Sequence, residues 1–64
     1  MKIIVKYWRG TTECEAIAKT YAGAKRIADR NQNAFPPRYY DESGRKLYDD
    51  GGGLRYEDAD YYAV

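Results

Sequence analysis

The chain has 64 residues, a formal net charge of +1 and no histidine. A chain of this length is expected to form one domain over residues 1–64, because a second hydrophobic core has no room. It contains no apolar run of the roughly 18 residues that a membrane-spanning helix needs, so we expect no membrane partner. Residues 1–32 hold seven Lys/Arg against three acids, whereas residues 33–64 hold four against seven. We therefore expect two electrostatically different regions.

The first two predicted elements are strands that form a hairpin. Residues 2–8 alternate with a period of two and carry apolar side chains on both faces, which predicts a central strand. The turn is predicted at Arg9-Gly10, and residues 11–19 then alternate again. One face of this second strand is small and apolar, which suits packing under a helix: Thr12, Cys14, Ala16 and Ala18.

The third predicted element is a helix over residues 20–32, with Thr20 as its N-cap. Its inner stripe follows helical spacing and consists mostly of small residues: Ala24, Ile27, Ala28 and Asn31. Gly23 costs about 1 kcal/mol relative to alanine within a helix, and close approach of the backbone would compensate this cost. Pro36-Pro37 prevents the helix from resuming.

The second half of the chain predicts short strands and turns. Ser43-Gly44 is a tight turn between two strands, and a looser glycine-rich connection precedes a third. The predicted strands are residues 38–42, 45–49 and 54–56. The apolar content of residues 61–64 favours a further paired segment, which the sequence leaves open. The sequence therefore predicts an α+β fold: a small antiparallel sheet of four to five strands with one helix packed on a face (ββαβββ).

The residue types argue against catalysis and against a metal site. Without histidine, the chain lacks the commonest general base and zinc ligand. Cys14 and Ser43 have no neighbouring base of the kind a nucleophile needs, and the glycines at 51–53 do not open a helix as a phosphate loop does. The acids of residues 49–60 lack the spacing of a calcium-binding loop. We expect a protein that is not an enzyme and that has no cofactor.

Two surface features remain as candidate binding sites. The first is the basic outer face of the predicted helix, formed by Lys25, Arg26 and Arg30, with Lys19 at its entry. Like charges such as Arg26 and Arg30, four residues apart, cost an isolated helix a few tenths of a kcal/mol. The second is a set of tyrosines interleaved with charged residues in the second half. The alternative interpretations are an ordinary solvated helix face and aromatic core residues.

Residues 13–35 resemble a known family, the small phage anti-CRISPR proteins that inhibit type I-F systems. The resemblance is carried by Glu15-Ala16, by the run AKRIA at residues 24–28, by Gln32 and by Phe35. It covers about a third of the chain in sequence. The opening strand and the sheet-rich C-terminal half match only in order and length.

The resemblance implies a non-enzymatic inhibitor that binds the repeated backbone subunits of a type I CRISPR effector (Cascade) and blocks target DNA binding. It implies viral counter-defence in the host bacterial cytoplasm, by an inhibitor that contacts effector protein subunits and can also promote non-specific duplex binding. We expect a monomer, and weak contact with nucleic acid stays open. On the matched positions, the partner-binding residues are Lys25, Arg26, Arg30 and Gln32. The acidic C-terminal segment departs from the family pattern. The alternatives are a small nucleic-acid-binding module and a structural or regulatory phage protein with the same fold.

Overall fold

A computed structural model describes residues 2–64 and shows one helix and one five-stranded antiparallel sheet. The strands are β1 (Ile3–Arg9), β2 (Thr12–Ala18), β3 (Arg38–Asp41), β4 (Lys46–Asp49) and β5 (Leu54–Tyr56), and the helix is α1 (Tyr21–Arg30). Their order in the sheet is β2-β1-β3-β4-β5. The predicted fold class and element order are therefore confirmed. β1 lies between two other strands, as its apolar residues on both faces predicted.

The β1–β2 hairpin places aliphatic side chains on the face of the sheet that α1 covers. Ile3 pairs with Ala18 and Val5 with Ala16, so these residues share the face that α1 covers. Arg9 pairs with Thr12, so the connection consists of Gly10 and Thr11 and lies one residue later than predicted. Gly10 has a φ of 63°, a backbone conformation that glycine adopts without steric cost.

Helix α1 is shorter than the predicted residues 20–32, because its end residues act as caps. The hydroxyl of Thr20 accepts a hydrogen bond from the backbone N–H of Gly23 at 3.0 Å, as expected of an N-cap. Asn31 is the C-cap, and its side-chain amide donates to the carbonyl of Ile27 at 2.7 Å. Gln32 therefore lies outside the helix.

The core lies between α1 and the sheet and depends on small helix residues. Its buried members are Ile3, Val5, Ala18, Ala24, Ala28, Leu47 and Leu54. A Cβ added at Gly23 would lie 3.2 Å from the Thr20 hydroxyl and 3.6 Å from the Ala18 Cβ, which confirms the predicted close approach at this glycine. In the described residues 2–64, no helix is long and apolar enough to cross a membrane.

The C-terminal segment, residues 61–64, pairs with β5 less regularly than predicted. One isolated antiparallel bridge joins Arg55 and Tyr62, so the segment is not a further strand. Backbone hydrogen bonds of 2.8 Å run from the Leu54 N–H to the Val64 carbonyl and from the Ala63 N–H to the Leu54 carbonyl. The segment therefore docks on β5 around the fully buried Leu54.

Candidate functional site

The four predicted partner-binding residues are all exposed, but they do not form one compact group. Lys25, Arg26 and Arg30 are exposed on α1, with Arg26 and Arg30 on the side away from the buried Ala24 and Ala28, and we call these three residues the helix cationic face. Gln32 lies beyond the C-cap and is exposed. The helix itself positions the three cations, whereas Gln32 belongs to the loop that follows.

Within the helix cationic face, the side chains divide into two positions. Arg26 and Arg30 are one helical turn apart and therefore neighbours on the surface. The ammonium of Lys25 lies 5.8 Å from the centre of the Tyr21 ring, one turn earlier. The hydroxyl of Tyr21 donates to Asp49 at 2.7 Å, and this bond raises the pKa of Tyr21 to about 12. Tyr21 thus joins the helix to β4 and supports the Lys25 side chain.

The distribution of ion pairs reinforces the charge asymmetry of the sequence. Among residues 2–64, the cations that form ion pairs are Arg38, Arg45, Lys46 and Arg55, which are all four Lys/Arg of the second half. In the same described range, none of the seven cations of the first half has an ionic partner. Asp29, one turn after Lys25, forms no ion pair within that range either. The helix cationic face therefore presents three cations that no ion pair engages within residues 2–64.

The interleaved tyrosines and charges of the second half are largely engaged within the chain. The guanidinium of Arg45 lies 3.8 Å from the centre of the Tyr56 ring and donates to Asp58 at 2.7 Å and to the Tyr61 hydroxyl at 3.2 Å. Tyr61 also packs edge-on against Tyr56, with ring centroids 5.3 Å apart. These contacts hold residues 57–61 against β4 and β5. The interleaved charges and rings of this segment therefore have a role in the fold itself.

A second set of contacts, centred on Asp50, holds the end of the chain. The Tyr62 hydroxyl and the Arg55 Nε donate to one carboxylate oxygen of Asp50 at 2.7 and 2.6 Å, and the Gly52 N–H donates to the other at 2.9 Å. The Arg55 guanidinium also lies 4.1 Å from the centre of the Tyr62 ring. The Tyr62 hydroxyl first, and then the Gly52 N–H, lower the pKa of Asp50 to about 2.

Acidification is expected to destabilise the fold through this carboxylate. An unfolded aspartate has a pKa of about 3.9. Because the folded pKa of Asp50 is about 2, its contribution is complete above about pH 4 and is lost as the pH falls towards 2. The slope of unfolding free energy against pH is proportional to the number of protons bound on unfolding. We expect Asp50→Asn to lower that number by about one near pH 3. Urea unfolding midpoints over this pH range measure the slope.

Asp29→Asn is the matched control for the acid measurement, because Asp29 is exposed and forms no ion pair in residues 2–64. Asp41 and Asp58 also have lowered pKa values, first because of hydrogen bonds from Ser43 and Arg45 respectively. Some acid sensitivity therefore remains in the Asp50→Asn variant. An unchanged slope in that variant would show that the Asp50 contacts do not form in solution.

The residues considered for catalysis, Cys14 and Ser43, make local contacts within the fold. Cys14 is half-buried on the strand β2, and its thiol lies 3.9 Å from the carbonyl of Thr12. The hydroxyl of Ser43 donates to Asp41 at 2.7 Å within the β3–β4 turn. In residues 2–64, no group of three or more Cys, Asp or Glu side chains lies close enough to hold a metal ion.

A further surface, which the sequence interpretation did not single out, lies on the face of the sheet opposite α1. An open cleft of about 260 Å³ is lined by Trp8, Phe35, Pro36 and Arg38. Trp8 and Phe35 have ring centroids 6.1 Å apart, and Phe35 is 60% exposed. Trp8 pairs with Glu13 and therefore lies on the face away from the alanines of β2. Trp8 and Phe35 are far apart in the sequence, so no local pattern indicated that the two rings are in contact.

Comparison of the chain with protein-family models, with curated proteins and with solved structures finds no significant match.

Proposed function

We propose that the protein is a non-enzymatic phage inhibitor of a host defence complex, one that docks on the backbone subunits of a type I CRISPR effector and blocks target DNA binding. The observation that carries the proposal is the helix cationic face: three exposed cations on a regular helix, with no ionic partner within residues 2–64. The similarity of residues 13–35 to anti-CRISPR proteins supports the choice of partner.

The physical argument for docking is charge complementarity on a rigid support. The helix is capped at both ends and packs on β1 and β2 through alanines, so its outer side chains project from a fixed backbone. Arg26 and Arg30 repel each other weakly in the free protein, and an acidic partner surface would remove this cost. Arginine also forms planar, bidentate contacts with carboxylates. Gln32 extends the contact area beyond the C-cap.

The direct test uses the purified protein and a purified type I effector. We expect the immobilised protein to retain the effector, and we expect target DNA binding by the effector to fall to background at saturating inhibitor. A gel-shift titration measures the second effect. Retention on the column with undiminished binding of target DNA would contradict the proposed mode of inhibition, and absence of retention would contradict the partner.

A nucleic-acid-binding module is the second candidate function, because the same exposed cations complement phosphates. Direct binding of a duplex through three phosphate contacts predicts affinity without any protein partner and a log–log salt slope of roughly −2.7, about 0.9 per phosphate. A titration of the protein alone with labelled duplex distinguishes the two functions. Binding with that slope favours the module, and absence of binding at low salt favours the inhibitor.

A further inference from the structure

The face of the sheet opposite α1 carries cations and aromatic rings in alternation. On the three central strands, β1, β3 and β4, the register places three cations, three aromatic rings and one isoleucine on this face. Within the described residues, these strands place no acid there. We call this surface the platform, and its members are Ile4, Lys6, Trp8, Arg38, Tyr40, Lys46 and Tyr48.

The acids that pair with platform cations lie at its margins and bind them loosely. Glu13 on the edge strand β2 lies 3.8 Å from Arg38, and Glu57 after β5 lies 3.7 Å from Lys46. All four of these side chains are between 43% and 50% exposed. Exposed ion pairs of this kind contribute little to stability, so little is lost when another anion takes the place of the acid. Arg38 and Lys46 are therefore available to a bound anion.

Two cations are placed side by side at the centre of the platform. Lys6 on β1 and Arg38 on β3 are direct cross-strand partners. Like charges in this position repel each other, and the acids beside them lie on the edge strand β2, where Glu13 reaches Arg38 at 3.8 Å. The ammonium of Lys6 lies 4.9 Å from the centre of the Tyr40 ring. Glu15 on β2 is the direct cross-strand partner of Lys6, but Lys6 forms no ion pair within residues 2–64. A phosphate group above Lys6 and Arg38 would satisfy both.

The cleft beside this pair of cations presents exposed aromatic surface. The Asn33 side-chain amide donates to the carbonyl of Trp8 at 2.6 Å, and its oxygen accepts from the N–H of Phe35 at 2.7 Å. These two bonds attach the loop after α1 to the end of β1 and hold Phe35 near Trp8. The Trp8 and Phe35 rings are inclined at 51° and open to solvent beside Arg38.

We propose that the platform binds a short segment of single-stranded nucleic acid, with one base stacked in the Trp8–Phe35 cleft and a neighbouring phosphate between Lys6 and Arg38. Aromatic rings on a sheet bind unpaired bases by stacking, and nearby cations bind the phosphates. A duplex cannot present an unstacked base to the cleft, so the platform selects single strands. DNA and RNA share both contacting groups, and the experiment includes each of them.

Trp8 is the only tryptophan of the chain, so its fluorescence reports occupancy of the cleft directly. We expect saturable quenching by oligothymidylate, by oligouridylate or by both, with a much weaker response to a duplex of equal length. The one phosphate between Lys6 and Arg38 predicts a log–log salt slope of roughly −0.7. No quenching by either single strand at low salt would overturn the proposal and leave a protein surface as the candidate occupant. Equal quenching by the duplex would overturn the stacking role of the cleft.

Three variants locate the site. Phe35→Ala removes an exposed ring and is expected to weaken binding roughly 5- to 100-fold, the range measured for one stacked base. Arg38→Gln is expected to weaken binding and to make its salt dependence shallower, because Lys6 alone then faces the phosphate. Ile17→Ala is the control, because Ile17 is 61% exposed on the same face of the sheet but lies on the edge strand outside the platform. Wild-type affinity in the Phe35→Ala variant, or equal weakening in the Ile17→Ala variant, would overturn the assignment of the cleft.

Discussion

Reversing two charges of the helix cationic face, with Lys25→Glu plus Arg26→Glu, is expected to abolish inhibition of the type I effector. Both side chains are exposed on α1 and have no ionic partner in residues 2–64, so their charge is available to the partner. Placing like charges across an interface costs several kcal/mol, which corresponds to an affinity at least ~100-fold weaker. The concentration of inhibitor that halves target DNA binding measures the loss.

The double variant should fold as the original chain does, because its two local effects oppose each other. The Arg26→Glu change places an acid one turn before Arg30, which replaces a repulsion with an attraction. The Lys25→Glu change places an acid one turn before Asp29, which introduces a repulsion of similar size, about 0.2–0.5 kcal/mol. The buried alanines of the helix are untouched. A thermal melt followed by circular dichroism should therefore be nearly unchanged.

A charge-matched control separates the helix from the total charge. Lys2→Glu plus Arg9→Glu changes the net charge by the same amount, at two exposed cations that lie off the helix. We expect this variant to inhibit as strongly as the original protein. Inhibition that survives the Lys25 and Arg26 changes would show that the helix is not the docking surface. Equal loss in both double variants would assign the effect to net charge rather than to α1.

The parts of the fold that depend on neighbouring residues could be predicted from the sequence. The alternation of β1 and β2 is a local pattern, and it gave the strand positions within one or two residues. Thr20 could be assigned as the N-cap because a hydroxyl before a helical stripe has one favourable partner, the orphan N–H groups of the first turn. The exposure of Lys25, Arg26 and Arg30 followed from the same stripe.

The parts that depend on distant residues could not be predicted in the same way. Asn33 bonds to the carbonyl of Trp8 across 25 positions, and this contact creates the aromatic cleft. Arg45 reaches Asp58 and Tyr61, so the charged tyrosine segment at residues 55–62 forms internal contacts rather than a free binding surface. A sequence pattern records which side chains share a face of one strand. It does not record which strands become neighbours, and this decides which cations and rings share a surface.

Gly53→Ala is expected to displace the C-terminal segment and to destabilise the protein by about 1–3 kcal/mol, the usual cost of overpacking a filled site. A Cβ at this buried glycine would lie 2.7 Å from the Val64 carbonyl oxygen and 3.0 and 3.1 Å from two ring carbons of Tyr62. Moving the backbone oxygen would break its 2.8 Å hydrogen bond from the Leu54 N–H, and Tyr62 is held by Asp50 and Arg55. Stability of about 0.05–0.15 kcal/mol per residue makes this a large fraction of the total for a chain of this length.

Gly52→Ala is the matched control, because it makes the same chemical change one residue earlier. Its Cβ would lie 3.5 Å from the Tyr62 hydroxyl and 3.7 Å from an Asp50 carboxylate oxygen, which are ordinary contacts. Gly52 also lacks a positive φ, so alanine should be neutral or should stabilise by up to ~1 kcal/mol through the unfolded chain. Urea unfolding midpoints measure both variants. If both midpoints were equal, Gly53 would not be in contact with the C-terminal segment. A loss of stability in Gly53→Ala alone would show that the absence of a side chain at this position allows residues 61–64 to pack on β5.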